Sequence, residues 1–226
     1  MTASNINEWT TAEHALEYLG RADAIPHRTE GEATILELLP QSPRRILDLG
    51  CGDGRILALA KLARPDAAGV ALDFSPTMLE AARQRFAADP SVTAGLPGPG
   101  KAGGVEVVEH NLSDPLPDIG AFDVILSSLA IHHLVDARKR ALYAEIFVRL
   151  EPGGLFCNLE HVSSPTARLH ADFFAAMGRD LGHEDPSNKC IPVDLQLGWL
   201  REIGFADVDC LWKWRELALL VGWKPR

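Results

Sequence analysis

The chain has 226 residues, 46% of them apolar, and a net charge of -9. That length supports one α/β domain spanning 1–226, and the acidic balance argues against a nucleic-acid footprint, which needs clustered Lys and Arg to displace counterions. The opening "MTASNINEWTTAEHALEYLG" lacks a charged region followed by an apolar one, and no window approaches a membrane-spanning length, so neither export nor an anchor is expected. Cys51, Cys157, Cys190 and Cys210 show no C-x-x-C spacing and read as reduced and buried. The expectation is a cytoplasmic protein with a small-molecule partner, acting as a monomer or homodimer.

Short β-rich runs alternate with helical patterns over 44–160, the mark of βαβ units and a doubly wound, mostly parallel sheet with helices on both faces. Strands are expected at 45–49, 67–72, 104–109, 122–127 and 154–160. "SPTMLEAARQRFAA" is a helix with Ser75 as N-cap, Pro76 at its first position and Met78, Leu79, Ala82 and Phe86 on one face. A loop rich in Gly and Pro fills 90–104, and a helix from Asp136 to Leu150 stops at "EPGG". The region 161–205 reads as helical, through "PTARLHADFFAAMGRDLG" and "VDLQLGWLREIG". Two strands then share 206–224, too close for a crossover, so they form an antiparallel hairpin with Trp212 and Trp214 on one face.

In "ILDLGCGDGR" the first strand runs into a tight turn containing Gly50, Gly52 and Gly54, at the strand's carboxyl end where open α/β sheets bind ligands. A dinucleotide fingerprint needs its third glycine where this chain has Arg55, which argues against a nicotinamide cofactor. Asp73 closes the second strand, spaced to accept both ribose hydroxyls, and Phe74 beside it offers a face for a base; Asp73 also fits an acid at a helix N-terminus.

With these motifs the chain resembles the class I S-adenosylmethionine-dependent methyltransferases over about 30–224. "ILDLGCGDGR", "VALDFSPTMLEAAR", "VVEHNLSDPLP", "FDVILSSLAIHHL" and "LEPGGLFCNLEH" follow in the family's order. The resemblance implies a seven-stranded Rossmann-like sheet ending in a hairpin. It also implies S-adenosylmethionine as cofactor, S-adenosylhomocysteine as product, and a core at 44–160 under an N-terminal lid at 1–40. Asp48 and the turn Gly50, Cys51, Gly52 and Gly54 would hold the methionine part and Asp73 the ribose. Phe74, Met78, Asn111, Leu112 and Ser127 would complete the cofactor site. Trp9, Tyr18, His27 and Arg28 of the lid, with Glu160, Trp214 and Arg215, would face the acceptor.

Methyl transfer mainly requires alignment of acceptor, methyl carbon and sulfur, worth about 7–11 kcal/mol without a dedicated catalytic group. A base is needed only for an acceptor that must lose a proton; His132, His133 and His161, expected at the sheet's carboxyl edge, are the candidates. No ligand spacing supports a metal among them. Arg28, Arg168, Arg179, Lys189 and Arg215 are the partners available to an acidic acceptor, and each also reads as a solvated charge. "RADAIPHR" and "REIGFADVDCLWKWRELALLVGWK" further resemble carboxy-S-adenosylmethionine synthases, although Arg28 stands where their pattern carries tyrosine. Such an enzyme, a nicotinamide-dependent oxidoreductase and a cofactor-binding protein without activity are the alternatives.

Overall fold

The computed structural model describes residues 24–88 and 103–226, with Glu13, Ala15, Leu16 and Gly20. Trp9, Tyr18 and most of the loop expected at 90–104 lie outside them. In chain order the elements are α1 (Arg28–Leu38), β1 (Arg45–Leu49), α2 (Arg55–Ala63), β2 (Ala68–Asp73), α3 (Pro76–Ala88), β3 (Val105–Glu109), β4 (Phe122–Ser128), α4 (Asp136–Arg149), β5 (Leu150–His161), α5 (Ala167–Ala176), α6 (Val193–Ile203), β6 (Ala206–Trp214) and β7 (Leu217–Trp223). Single 3₁₀ turns occupy Ile131–His133 and Leu181–His183.

The seven strands form one sheet ordered β3-β2-β1-β4-β5-β7-β6, parallel except for β7, which is antiparallel to β5 and β6. This is the doubly wound sheet and terminal hairpin expected from the strand spacing, with the seven Rossmann-like strands that the family resemblance implies. Alternation divides β1 between two cores: Leu47 and Leu49 pack with Ile125, Phe156 and α4, whereas Ile46 packs with Val124, Leu155 and α2. Asp48 points to the same face as Ile46, inside an apolar layer. Strand order reverses at β1 and β4, so their carboxyl ends splay and leave a crevice.

Three boundaries differ from the sequence reading. β5 begins at Leu150 rather than 154, because "EPGG" enters the sheet: Gly153 takes positive φ, its N–H donates to the Lys224 carbonyl, and the pairing with β4 shifts register after Phe122. α5 stops at Ala176 instead of running toward 182, since the Met177, Gly178 and Arg179 N–H groups close on carbonyls of 173–175 around the left-handed Gly178. The sequence places the start of the helix after the glycine turn near Asp53; it starts two residues later, at Arg55, capped by Gly54.

Candidate functional site

At the crevice the glycine turn is held by two hydrogen bonds. The Cys51 N–H donates to the Leu72 carbonyl at 2.8 Å, and the Gly52 N–H to Asp73 Oδ2 at 2.9 Å. Gly50 has φ 65°, and a Cβ there would lie 2.3 Å from the Ala130 Cβ, so glycine is required on two counts. Asp73 also accepts from the Ser75 N–H at 2.8 Å. Two N–H donors occupy half of the roughly four acceptor sites of a carboxylate, which leaves lone pairs for a vicinal diol.

The turn borders a cavity of about 550 Å³, in the size range of small-molecule sites. Gly50, Cys51, Gly52, Asp73, Phe74, Met78, Asn111, Leu112, Arg28 and His133 all line it. Among the described residues, His110 Nε2 and Ser128 Oγ, in the same wall, are buried without hydrogen-bond partners; beneath the turn, both oxygens of Asp48 are in the same state. Burial, then the nearby Asp73 charge, pushes the Asp48 carboxyl up to about 8. Buried polar groups are almost always paired, so three unpaired ones at one crevice mark a place for a polar ligand. Across the mouth, Glu32 accepts from Arg28 Nε and Arg55 Nε, each at 2.8 Å, fixing two guanidinium groups that line the wall.

A second cavity, of about 250 Å³, shares Leu129 and His133 with the first. Leu129 holds φ 55°, a costly conformation for leucine, while its N–H donates to the Leu159 carbonyl at 2.7 Å. His132, His133 and His161 line this cavity together with Phe173, Phe174 and Met177. His132 Nδ1 lies 2.7 Å from Glu160 Oε1, and His161 Nε2 lies 3.1 Å from Glu216 Oε2. Glu216 also meets His170 Nδ1 at 2.9 Å. Burial holds His132 and His133 well below the ordinary histidine range. It also raises Glu216, yet hydrogen bonds led by His161 bring that carboxylate below its usual value.

Other expected site residues fall elsewhere. Ser127 is buried and donates to the Leu49 carbonyl at 2.9 Å, tying β4 to β1. Gly54 caps α2 and packs on Phe86, off the cavity wall. His27 stacks on Trp214 at 4.5 Å, and Arg215 lies in the exposed β6–β7 turn over the same ring, so these three border neither cavity. Glu160 stands behind His132 rather than in the wall. Glu32 and Glu216 were missed. An i,i+4 Arg28–Glu32 pair and an acid beside the apolar "LALLV" run are the signals that would have flagged them.

Comparison with known proteins gives this geometry a lineage. Residues 46–154 match a family model described as a methyltransferase domain. A demethylmenaquinone methyltransferase from Clavibacter sepedonicus is 30% identical over 192 residues, covering 78% of this chain and 71% of that relative. The chain belongs to the class I S-adenosylmethionine-dependent methyltransferases. Within that family, a demethylmenaquinone methyltransferase from Thermus thermophilus is 33% identical over 130 residues, 56% of this chain; the match spans 51%, about half, of its length. A carboxy-S-adenosyl-L-methionine synthase from Klebsiella pneumoniae is 24% identical over 191 residues, 77% of this chain and 72% of that one. Among solved structures, an O-methyltransferase family protein from Burkholderia thailandensis superposes with TM-score 0.71 at 23% identity, over 96% of this chain and 62% of that one, a likeness of fold. The family's cofactor fits the first cavity: the unpaired Asp48, His110 and Ser128 groups and the close-approach glycine turn suit a polar nucleoside with an amino-acid tail. No helix among the described residues is long and apolar enough to cross a membrane.

Proposed function

We propose that the chain transfers a methyl group from S-adenosylmethionine to a small-molecule acceptor held in the second cavity. The observation that carries this reading is the pair of adjoining cavities at the carboxyl edge of the sheet, joined at Leu129 and His133. Bound in the first, the cofactor supplies an electrophilic methyl on a good leaving group. Asp73 would accept from its ribose hydroxyls, Phe74 would lie against the adenine, and Asn111 would meet the adenine edge through Nδ2, its Oδ1 already accepting from the Ser113 N–H at 2.9 Å. The glycine turn, with Asp48 beneath it, and the Glu32-held arginines would take the charged amino-acid end. The second cavity would orient the acceptor and exclude water, the main demand of this displacement. His132, His133 and His161 supply a base for an acceptor that needs one.

The domain reading extends this: one catalytic unit, with residues 1–40 as its lid, set in the cytoplasm, where its four free thiols persist. Calorimetric titration with S-adenosylmethionine, S-adenosylhomocysteine and NADH, with mass spectrometry of copurified ligand, is the test. Binding of the sulfur nucleosides without NADH is expected; a preference for NADH overturns the reading. The carboxy-S-adenosylmethionine synthase relative favours a second reading, and a copurified carboxylated sulfonium would select it.

A further inference from the structure

The proton state of one group in the second cavity can be read from its partners. Glu160 is buried on β5. Its Oε1 accepts the His161 backbone N–H at 2.9 Å, and its Oε2 the Asn158 side-chain amide at 3.2 Å. Asn158 also donates to the Tyr143 hydroxyl at 3.2 Å, and that hydroxyl donates to Gln196 Oε1 at 2.6 Å. The carboxylate is thereby locked by a chain reaching into α6. With donors on both oxygens, Glu160 meets His132 Nδ1 as an acceptor too. Nδ1 then carries the proton and Nε2 the lone pair. Among the described residues Nε2 takes no hydrogen bond. The groups facing this ring are His133, tilted against it at 4.0 Å, His161 at 5.4 Å, Lys139 of α4, and Asp185 and Lys189 of the segment before α6. Burial and the cationic neighbours keep it neutral, against Asp185.

Phe173, Phe174, Met177 and Leu217 give the rest of the wall an apolar side, with Asn188 and His183 among its polar groups. Arg179 is its one guanidinium among the described residues, and Asp185 shares the wall, so a polycarboxylate finds no cationic cluster. A carboxylate acceptor is ionised already and a neutral amine has its lone pair exposed; neither needs a buried neutral base. Resting on the methyl-transfer reading above, we propose that the acceptor is an uncharged aromatic or enolic hydroxyl compound, that His132 is its general base, and that Glu160 is the positioning residue. As the acceptor oxygen bonds to the methyl carbon, the carbon–sulfur bond breaks and its electron pair stays on sulfur. The hydroxyl proton passes to Nε2, and from there to solvent.

The test uses the full chain saturated with S-adenosylhomocysteine, whose calorimetric titration reports separately on the cofactor site and on folding. 4-Nitrophenol is added below its own pKa and its absorption is read. Saturable binding of the neutral phenol is expected, weakened in His132→Gln, while S-adenosylhomocysteine binds His132→Gln and Glu160→Gln as it binds wild type. With S-adenosylmethionine, His132→Gln should slow transfer to 1-naphthol by about 10²–10⁴-fold, the usual contribution of a general base. That deficit should shrink for 4-nitrophenol, which ionises in solution; a merely structural defect would slow both alike. Intact nucleoside binding without phenol binding, or an equal slowing of 1-naphthol and 4-nitrophenol in His132→Gln, overturns the proposal. So does preferred transfer to 1-naphthylamine or 1-naphthoate. If the sulfur nucleoside itself fails to bind, the methyl-transfer reading falls first and takes this one with it.

Discussion

Asp48→Asn should remove a pH-dependent weakness from the cofactor-free fold. The wild-type carboxyl is fully buried and, among the described residues, unpaired, and its pKa stands at about 8 against 3.8 for an ordinary aspartate. Between those values the native state holds a proton that the unfolded state has lost, so stability falls as pH rises. The slope is about 1.4 kcal/mol per pH unit, giving about 3 kcal/mol between about pH 5 and about pH 7.5. At about 2–4 °C per kcal/mol for a chain of this size, the wild-type Tm should drop across that window by about 6–12 °C more than the variant's. The buried amide that the substitution introduces remains unpaired at every pH, an offset of about 1–3 kcal/mol that cancels when slopes are compared. Differential scanning calorimetry of both proteins without cofactor, at several pH values, gives the comparison. Parallel Tm curves across the window would refute the argument and mean that Asp48 is ionised and solvated in the free protein.

Asp73→Ala should weaken S-adenosylhomocysteine binding by about 1.5–3 kcal/mol, the scale of a hydrogen bond to a charged acceptor, and unchanged affinity by calorimetry would remove Asp73 from the site. Gly50→Ala sets a methyl 2.3 Å from the Ala130 Cβ at a φ that L residues avoid, so cofactor binding should be lost while Gly198→Ala, in α6, lining neither cavity and with open space around it, leaves binding intact. Glu216→Gln should lower the NMR titration midpoint of His170: partial burial works against the imidazolium, but the Glu216 and Glu184 carboxylates raise its pKa in the wild type. Because a raised histidine pKa stabilises below the unfolded value and fades as pH climbs through the folded one, that part of the variant's stability deficit should narrow toward alkaline pH.

The sheet was legible because a buried parallel strand must be apolar on both faces, and the runs at "RILDL" and "FDVILSS" have no other low-energy use. The glycine turn and Asp73 were legible for a related reason: backbone geometry there admits few residue types. Trp214 was misread as lining a pocket, since a tryptophan at a sheet edge looks the same whether it faces a cavity or, as here, stacks on His27. The dyads were invisible in outline because Glu160 and His132 are 28 residues apart, and only the pairing of β4 with β5 brings them together. Glu216 was hidden for the same reason: its histidines come from β5 and α5.

Leu129 and His133 stand in both cavity walls, whereas Phe173, Phe174, Met177 and His183 border only the second. A change at the sheet edge therefore reaches both cavities, while one at Phe173, Phe174 or Met177 reaches only the cavity proposed for the acceptor. Under the proposed function that helix can be exchanged with the cofactor cavity left as it is, provided His170 stays to meet Glu216. Grafting 165–183 from a relative is accordingly the shortest engineering route to a new acceptor, and the stretch where natural divergence in specificity has most freedom to accumulate.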